Sequence, residues 1–304
     1  MAGETEYRMS TLTWGLLVLL GLIWGGSFFF ARIAVQQVPP FTLVFLRLSL
    51  AAIALHLYLH GRFGLYAALR SRWRQFLVMG LINNAVPHTL IFMGQTEIGA
   101  GLAAILNATT PIFTVLIANS LTKDEKLTSA KLAGCILGLA GTAVMIGPGA
   151  FARSGIPFWA LLLPVLAAVS YGFASTYGKR FRGLAAPVTA AGQLTASSLM
   201  MLPVCLFVDA PWTLSLPSTG AVAAILGLAL LSTAFAYILF FRIMSLAGAT
   251  NTSLVTLLVP PSAILLGILF LGEHLEATEI GGMLLIAAGL VILDGRALAR
   301  LRPA

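Results

Sequence analysis

Between Gly80 and Gln95 the chain reads Gly-Leu-Ile-Asn-Asn-Ala-Val-Pro-His-Thr-Leu-Ile-Phe-Met-Gly-Gln. The stretch is apolar enough to enter a bilayer, yet it carries two amides, an imidazole and a proline. Polar groups in hydrocarbon are expensive, so they normally face a bundle interior or a wet cavity. At about 100° per residue, His88 and Gln95 lie within about 40° of Asn84 on a helix, which makes one polar stripe. Pro87 has no amide hydrogen and frees the carbonyl of Asn83. Such a break is tolerated in a spanning helix where a neighbour or water meets the freed group. The expected chemistry is recognition: Asn83, Asn84, His88 and Gln95 lining a substrate cavity, with Pro87 as a hinge.

Other sets share this character. Asn107, Thr110, Pro111 and Thr114 follow helical spacing, and Pro111 frees the carbonyl of Asn107. Thr252 and Thr256 precede Pro260 and Pro261, where a bend or hinge is expected. Trp24, Ser27 and Phe28 stand opposite Tyr171, Ala174 and Ser175 in a related run, and Ser232, Thr233 and Tyr237 form a further polar set. Trp24 and Tyr171 sit well inside their apolar runs, away from the interfacial belt that aromatics usually form. Arg32 can snorkel to an interface. Arg47, deeper in its run, can snorkel, meet helix C-terminal carbonyls or hold an anionic group.

Little here points to bond-making. The chain has no His-Glu-x-x-His, no Gly-x-Ser-x-Gly and no carboxylate pair, and Cys135 and Cys205 lie singly in apolar runs. Gly172 to Lys179 imitates a phosphate loop, but it has five residues between its glycines where four are needed. No Asp or Glu falls mid-run, which argues against a carboxylate-coupled cation antiporter; His88 is the one central group that titrates near neutrality. No cofactor and no metal are expected.

The elements that hold these residues are set by composition. Of 304 residues 59% are hydrophobic and 9% charged, with mean hydropathy +0.97. That describes a multi-pass, all-α integral membrane protein. Ten spans are expected at 12–34, 41–60, 75–95, 101–121, 129–147, 157–178, 187–207, 221–243, 250–271 and 279–294. The net charge of +8 belongs to short loops and needs no nucleic acid. With ten spans, every Lys and Arg except Arg32, Arg47 and Arg153 falls on one side, so both termini are expected to be cytoplasmic.

A repeat runs through the chain. Trp24-Gly25, Arg32, Pro40 and Gly80 correspond, 147 positions on, to Tyr171-Gly172, Lys179, Pro187 and Gly227. At an offset of 148, Glu125-Lys126-Leu127 meets Glu273-His274-Leu275, and Gly134 and Gly141 meet Gly282 and Gly289. Pro111 pairs with Pro260 or Pro261. Halves of five spans each must have opposite orientation, and transporters of this design place the site between the halves. The glycines of spans 5 and 10 suit close helix contact, so these two spans are read as scaffold. Glu273 is expected to cap span 10.

Five-plus-five inverted spans, Trp24-Gly25, Arg47 early in span 2, the Pro111 helix and Gly272-Glu273-His274-Leu275 resemble the EamA family of the drug/metabolite transporter superfamily. Within it, the chain is similar to bacterial exporters of amino acids, aromatic ones included. Lys123-Asp124-Glu125 departs from the family's usual Gly-Glu. The resemblance implies a secondary transporter, not an enzyme, with a cavity built from spans 1, 3, 4, 6, 8 and 9. It implies export by alternating access from a bacterial inner membrane, with Trp24, Phe28 and Tyr171 on the substrate side chain. The expected organisation is a cytoplasmic segment 1–11, repeats 12–147 and 157–294, and a basic cytoplasmic tail 295–304. Partners are the substrate and the lipid bilayer; monomer and homodimer stay open. The rival readings are an intramembrane or lipid-modifying enzyme using His88, and a passive metabolite channel.

Overall fold

A computed structural model describes residues 10–60, 62–121, 127–146, 155–252 and 254–294. Arg8, the Lys123-Asp124-Glu125 run, Arg153 and the tail 295–304 lie outside the described residues. Within them the chain is helical throughout, with no strand.

Seven helices are long and apolar enough to cross a membrane: α1 (Thr11–Val35), α2 (Pro40–Leu59), α3 (Trp73–Gly94), α4 (Ala100–Leu121), α6 (Phe158–Phe181), α7 (Ala186–Asp209) and α8 (Thr219–Ala247). Three more apolar helices are shorter by hydropathy: α5 (Ser129–Ile146), α9 (Val255–Leu271) and α10 (Ala277–Asp294). Local signals set the ends. The Ser10 hydroxyl accepts from the Thr13 amide at 3.1 Å to start α1. Ser218 starts α8 in the same way, accepting from the Ala221 amide at 3.2 Å. Pro40 opens α2, where its missing amide hydrogen is harmless. Gly272 closes α9 at φ 65°. L side chains avoid that left-handed conformation, and glycine does not.

The halves are joined by a two-fold relation. Helix α1 packs on α9 as α6 packs on α4, α6 packs on α3 as α1 packs on α8, and α7 meets α3 as α2 meets α8. The pairs α5/α10 and α2/α7 map onto themselves. In the first of these, a methyl group built on Gly141 lies 2.6 Å from the Gly282 carbonyl oxygen. One built on Gly289 lies 2.7 Å from the Gly134 carbonyl oxygen. The C-terminal half of each helix thus meets the N-terminal half of the other, so the equivalent helices run antiparallel. Backbone contact this close is possible only because small residues line the seam.

The same relation settles the register near the prolines. Gly25 abuts Ser262 and Ala263 of α9, and Gly172 abuts Phe113 and Thr114 of α4. These contacts correspond only if Pro111 matches Pro260, not Pro261. Both halves also widen into a π-turn at matching places, Leu81–Ala85 in α3 and Gly227–Phe235 in α8. Pro87 therefore is not the sole cause of the widening, since Ala234 occupies its place in α8.

Candidate functional site

The π-turn of α3 decides which amide faces inward. In it the Val86 amide donates to the Leu81 carbonyl, five residues back, instead of four. A five-residue turn aligns Asn83, not Asn84, with His88. Asn84 is 1% exposed, leaves both amide atoms without a partner, and is not on the cavity wall. The polar stripe expected from regular helical spacing is thus corrected by one residue. Pro87 is buried away from the cavity as well.

The cavity has a volume of about 930 Å³ and lies between the halves. Its wall includes Trp24, Ser27 and Phe28 from α1; Asn83, His88 and Gln95 from the α3 region; Asn107 and Pro111 from α4; Tyr171 and Ser175 from α6; Tyr237 from α8; and Thr256 and Pro260 from α9. Two further helices contribute where none was expected: α2 brings Arg47 and α7 brings Thr189 and Gln193. Phe92, Thr233 and Phe240 also line it. Arg47 and Gln193 carried a signal in the sequence, as strongly polar side chains deep in apolar runs. Phe92 and Phe240 carried none that distinguishes them from lipid-facing aromatics.

Hydrogen bonds across the wall join one half to the other. The Arg47 Nε donates to the Thr233 hydroxyl at 3.0 Å, and that hydroxyl in turn donates to the Leu228 carbonyl at 2.8 Å. The guanidinium lies over the Phe92 ring, 5.7 Å from its centroid. A cation so placed is attracted by the ring quadrupole. The His88 ring stacks on the same phenyl at a centroid distance of 6.2 Å. Asn83 donates to the Gln193 carbonyl oxygen at 2.8 Å, and Gln193 donates to the Tyr237 hydroxyl at 3.4 Å. Trp24, Phe240, Phe241 and Tyr237 continue as an aromatic wall, with successive centroids 5.5, 5.6 and 5.9 Å apart. His88 Nδ1 and Asn107 Oδ1 are buried without a protein partner, although both residues line the cavity. Covered atoms of this kind cost free energy, and it is other atoms of the two side chains that form the wall.

The two ends of the cavity differ. At the Gln95 end, Arg32 donates to the carbonyl oxygens of Gln95 and Thr96, and the Gln95 amide donates to the Phe28 carbonyl at 2.9 Å. Arg32 is therefore a tie between α1 and the end of α3, not a free snorkelling cation. Glu273 accepts from the Ala100 and Gly101 amides at 2.6 and 3.0 Å, so it caps α4 instead of span 10. Asp209 accepts from the amide and hydroxyl of Thr42 at 2.6 and 2.8 Å, tying α7 to α2. Anions at helix N-termini are stabilising, so both carboxylates fasten this end. Towards the other end the lining continues through Gly178 and Lys179 to the exposed Arg182 between α6 and α7. The cavity is closed at one end and reaches the exterior at the other. Among the described residues no cluster of His, Cys, Asp and Glu has the makings of a metal site.

Two segments, residues 12–147 and 158–293, each match the EamA-like transporter family, and together they span most of the chain. The chain belongs to the EamA-like transporter family. Two copies of one family domain account for the repeat, and they place the chain in the drug/metabolite transporter superfamily. Relatives of this EamA protein run nearly full length. It is 25% identical over 279 residues to an uncharacterized transporter, YoaV, of Bacillus subtilis, covering 90% of this chain and 94% of that one. It is 29% identical to an uncharacterized inner membrane transporter, YedA, of Escherichia coli, covering 90% and 88%. It is 27% identical over 301 residues to a probable terminal-alkyne amino-acid exporter of Streptantibioticus cattleyicolor, covering 98% of both. One crystal structure shares the fold at a TM-score of 0.65 and 21% identity, covering 94% of this chain and 98% of that one.

Proposed function

We propose that this EamA protein exports amino acids and related small metabolites by alternating access. The carrying observation is the cavity itself: it lies between inverted halves, is closed by inter-helix ties at one end and reaches the exterior at the other. Inverted halves that rock about a central site are a general transporter design. The full-length relative named as an amino-acid exporter supports the substrate class.

In this reading all ten apolar helices cross, α5, α9 and α10 included, and both termini are cytoplasmic, an orientation that the excess of Lys and Arg in one set of loops supports. The Lys179 end then faces the cytoplasm and the Gln95 end faces outward, so the structure is the inward-open state, ready to load. The membrane is a bacterial inner membrane, in line with the location in YedA's name. Residues 12–147 and 157–294 act as the two moving halves, flanked by cytoplasmic segments. Asn83, His88 and Asn107 hold the polar end of the substrate, while Trp24, Tyr171 and Tyr237 receive its side chain. Pro111 and Pro260 stand at equivalent places in α4 and α9, where a change of bend in each half can move the two ends in opposition. Asn84 and Pro87 are left out of substrate contact.

The test is flux into and out of liposomes carrying the purified protein, with labelled amino acids. Saturable, exchange-stimulated flux that falls in His88→Ala and Trp24→Ala supports the proposal. Continuous conductance without saturation would indicate a channel, and conversion of substrate without translocation would indicate an enzyme.

A further inference from the structure

Besides Lys179 and Arg182 towards the open end, the wall of the cavity carries one buried cation, and the described residues that line it include no Asp or Glu. That cation is Arg47, 8% exposed, on α2. A guanidinium has five N–H donors. One of them, on Nε, is used by Thr233, and the Phe92 face covers one side of the group. Among the described residues no protein acceptor takes the four N–H groups of the two terminal nitrogens, and these nitrogens are not sealed off from the cavity. A charge taken out of water is retained only with compensation, and one neutral hydrogen bond with one ring is little compensation for a buried guanidinium. Its free edge is planar and forked, the shape that pairs two-to-two with a carboxylate. Thr233 holds the opposite side, so the fork is fixed in direction before any ligand arrives.

The surroundings agree in chemistry. The aromatic wall from Trp24 to Tyr237 offers an apolar face. We propose that Arg47 is the carboxylate receptor of the cavity, and that the protein selects substrates bearing a carboxylate over amines and amides of the same size. Arg47 is thus a specificity-determining residue. In the second half, 147 positions on, its place is taken by Leu194, so the receptor exists once in the two-fold scaffold.

This deepens the transport reading, and its binding arm stands without it. The detergent-solubilised protein is titrated with 3-phenylpropionate, phenylalanine, phenylalaninamide and phenethylamine while its Tm is followed. In the wild type the two carboxylates raise Tm and the amide and amine do not. Arg47→Gln loses at least about tenfold in apparent carboxylate affinity, as expected for a charge-assisted pair, and Arg47→Lys recovers part of it. Thr233→Val, which frees the fork without removing charge, keeps the carboxylate preference but weakens it, and serves if Arg47→Gln fails to fold. Equal stabilisation by carboxylate and amine, no stabilisation by any carboxylate, or unchanged affinity in a folded Arg47→Gln overturns the proposal. Flux of the same labelled compounds in liposomes separates the two claims. Carboxylate binding without flux sinks transport and leaves the receptor standing. Flux that ignores the carboxylate sinks the receptor and leaves transport standing.

Discussion

Arg32 of α1 grips the carbonyl oxygen of Gln95 at the end of α3, while Lys179, its counterpart 147 positions on, stands at the opposite mouth of the cavity. The scaffold is two-fold, but the two ends are in different states. In the outward-open state Arg32 is expected to be released from these carbonyl oxygens.

Arg32→Ala is therefore expected to loosen the sealed end. A cysteine placed at Ser27, in a background lacking Cys135 and Cys205, reports on this. Labelling by a membrane-impermeant reagent from the Gln95 side is expected to rise several-fold in Arg32→Ala. No change in rate would show that Arg32 contributes nothing to closure.

Glu273 should act on stability through α4. Its carboxylate meets two amides at the first turn, so Glu273→Gln is expected to lower stability by about 1–2 kcal/mol. Gly99→Ala is expected to act on the same contact, because a methyl group there lies 2.6 Å from the Glu273 carboxyl carbon. Thermal unfolding in detergent measures both, and the double variant should fall short of the sum.

The α5/α10 seam tolerates no side chain at Gly141, where a methyl group lies 2.6 Å from the Gly282 carbonyl oxygen and 2.9 Å from the Ile286 amide nitrogen. Gly141→Val is expected to destabilise by about 1–3 kcal/mol, the usual size of an overpacking defect. Gly15→Ala, inside α1 with nothing within 4 Å, is the control and is expected to hold or raise stability. A difference in Tm between the two variants is the measurement.

The π-turn makes opposite forecasts for neighbouring amides. Asn84→Leu replaces a buried, unpartnered amide with an apolar group of similar size, so stability should hold or rise and flux should be unchanged. Asn83→Leu strands Gln193 and removes a cavity group, so flux should fall. Asn83→Leu with Gln193→Leu should recover about 1 kcal/mol relative to additivity, read from unfolding midpoints. Equal loss of flux in Asn83→Leu and Asn84→Leu would contradict the inward-facing assignment of Asn83.

The helical elements were legible in the chain because span length and apolar content are properties of contiguous residues. So was the pairing of halves, since glycines and prolines recur at set offsets wherever backbones must approach or bend. Most of the cavity wall was legible for the same reason: polar side chains within apolar runs have few places to go. Arg47 was visible as a charge, but its purpose was not, because Thr233 and Phe92 lie far from it in sequence.

What the sequence by itself determined is the all-helical apolar chain, its repeat and the short list of polar residues that must avoid lipid. What only the tertiary structure decided is phase and partnership. The π-turn exchanged Asn84 for Asn83, since one extra residue in a turn rotates all that follows. The antiparallel seam matched Pro111 to Pro260, since register is a relation between helices. Packing brought Gln193 to Asn83 and Glu273 to α4, contacts between residues 110 and 173 positions apart that no local pattern encodes. The stretch from Gly80 to Gln95 is one wall of the cavity; the buried guanidinium beside it comes from α2.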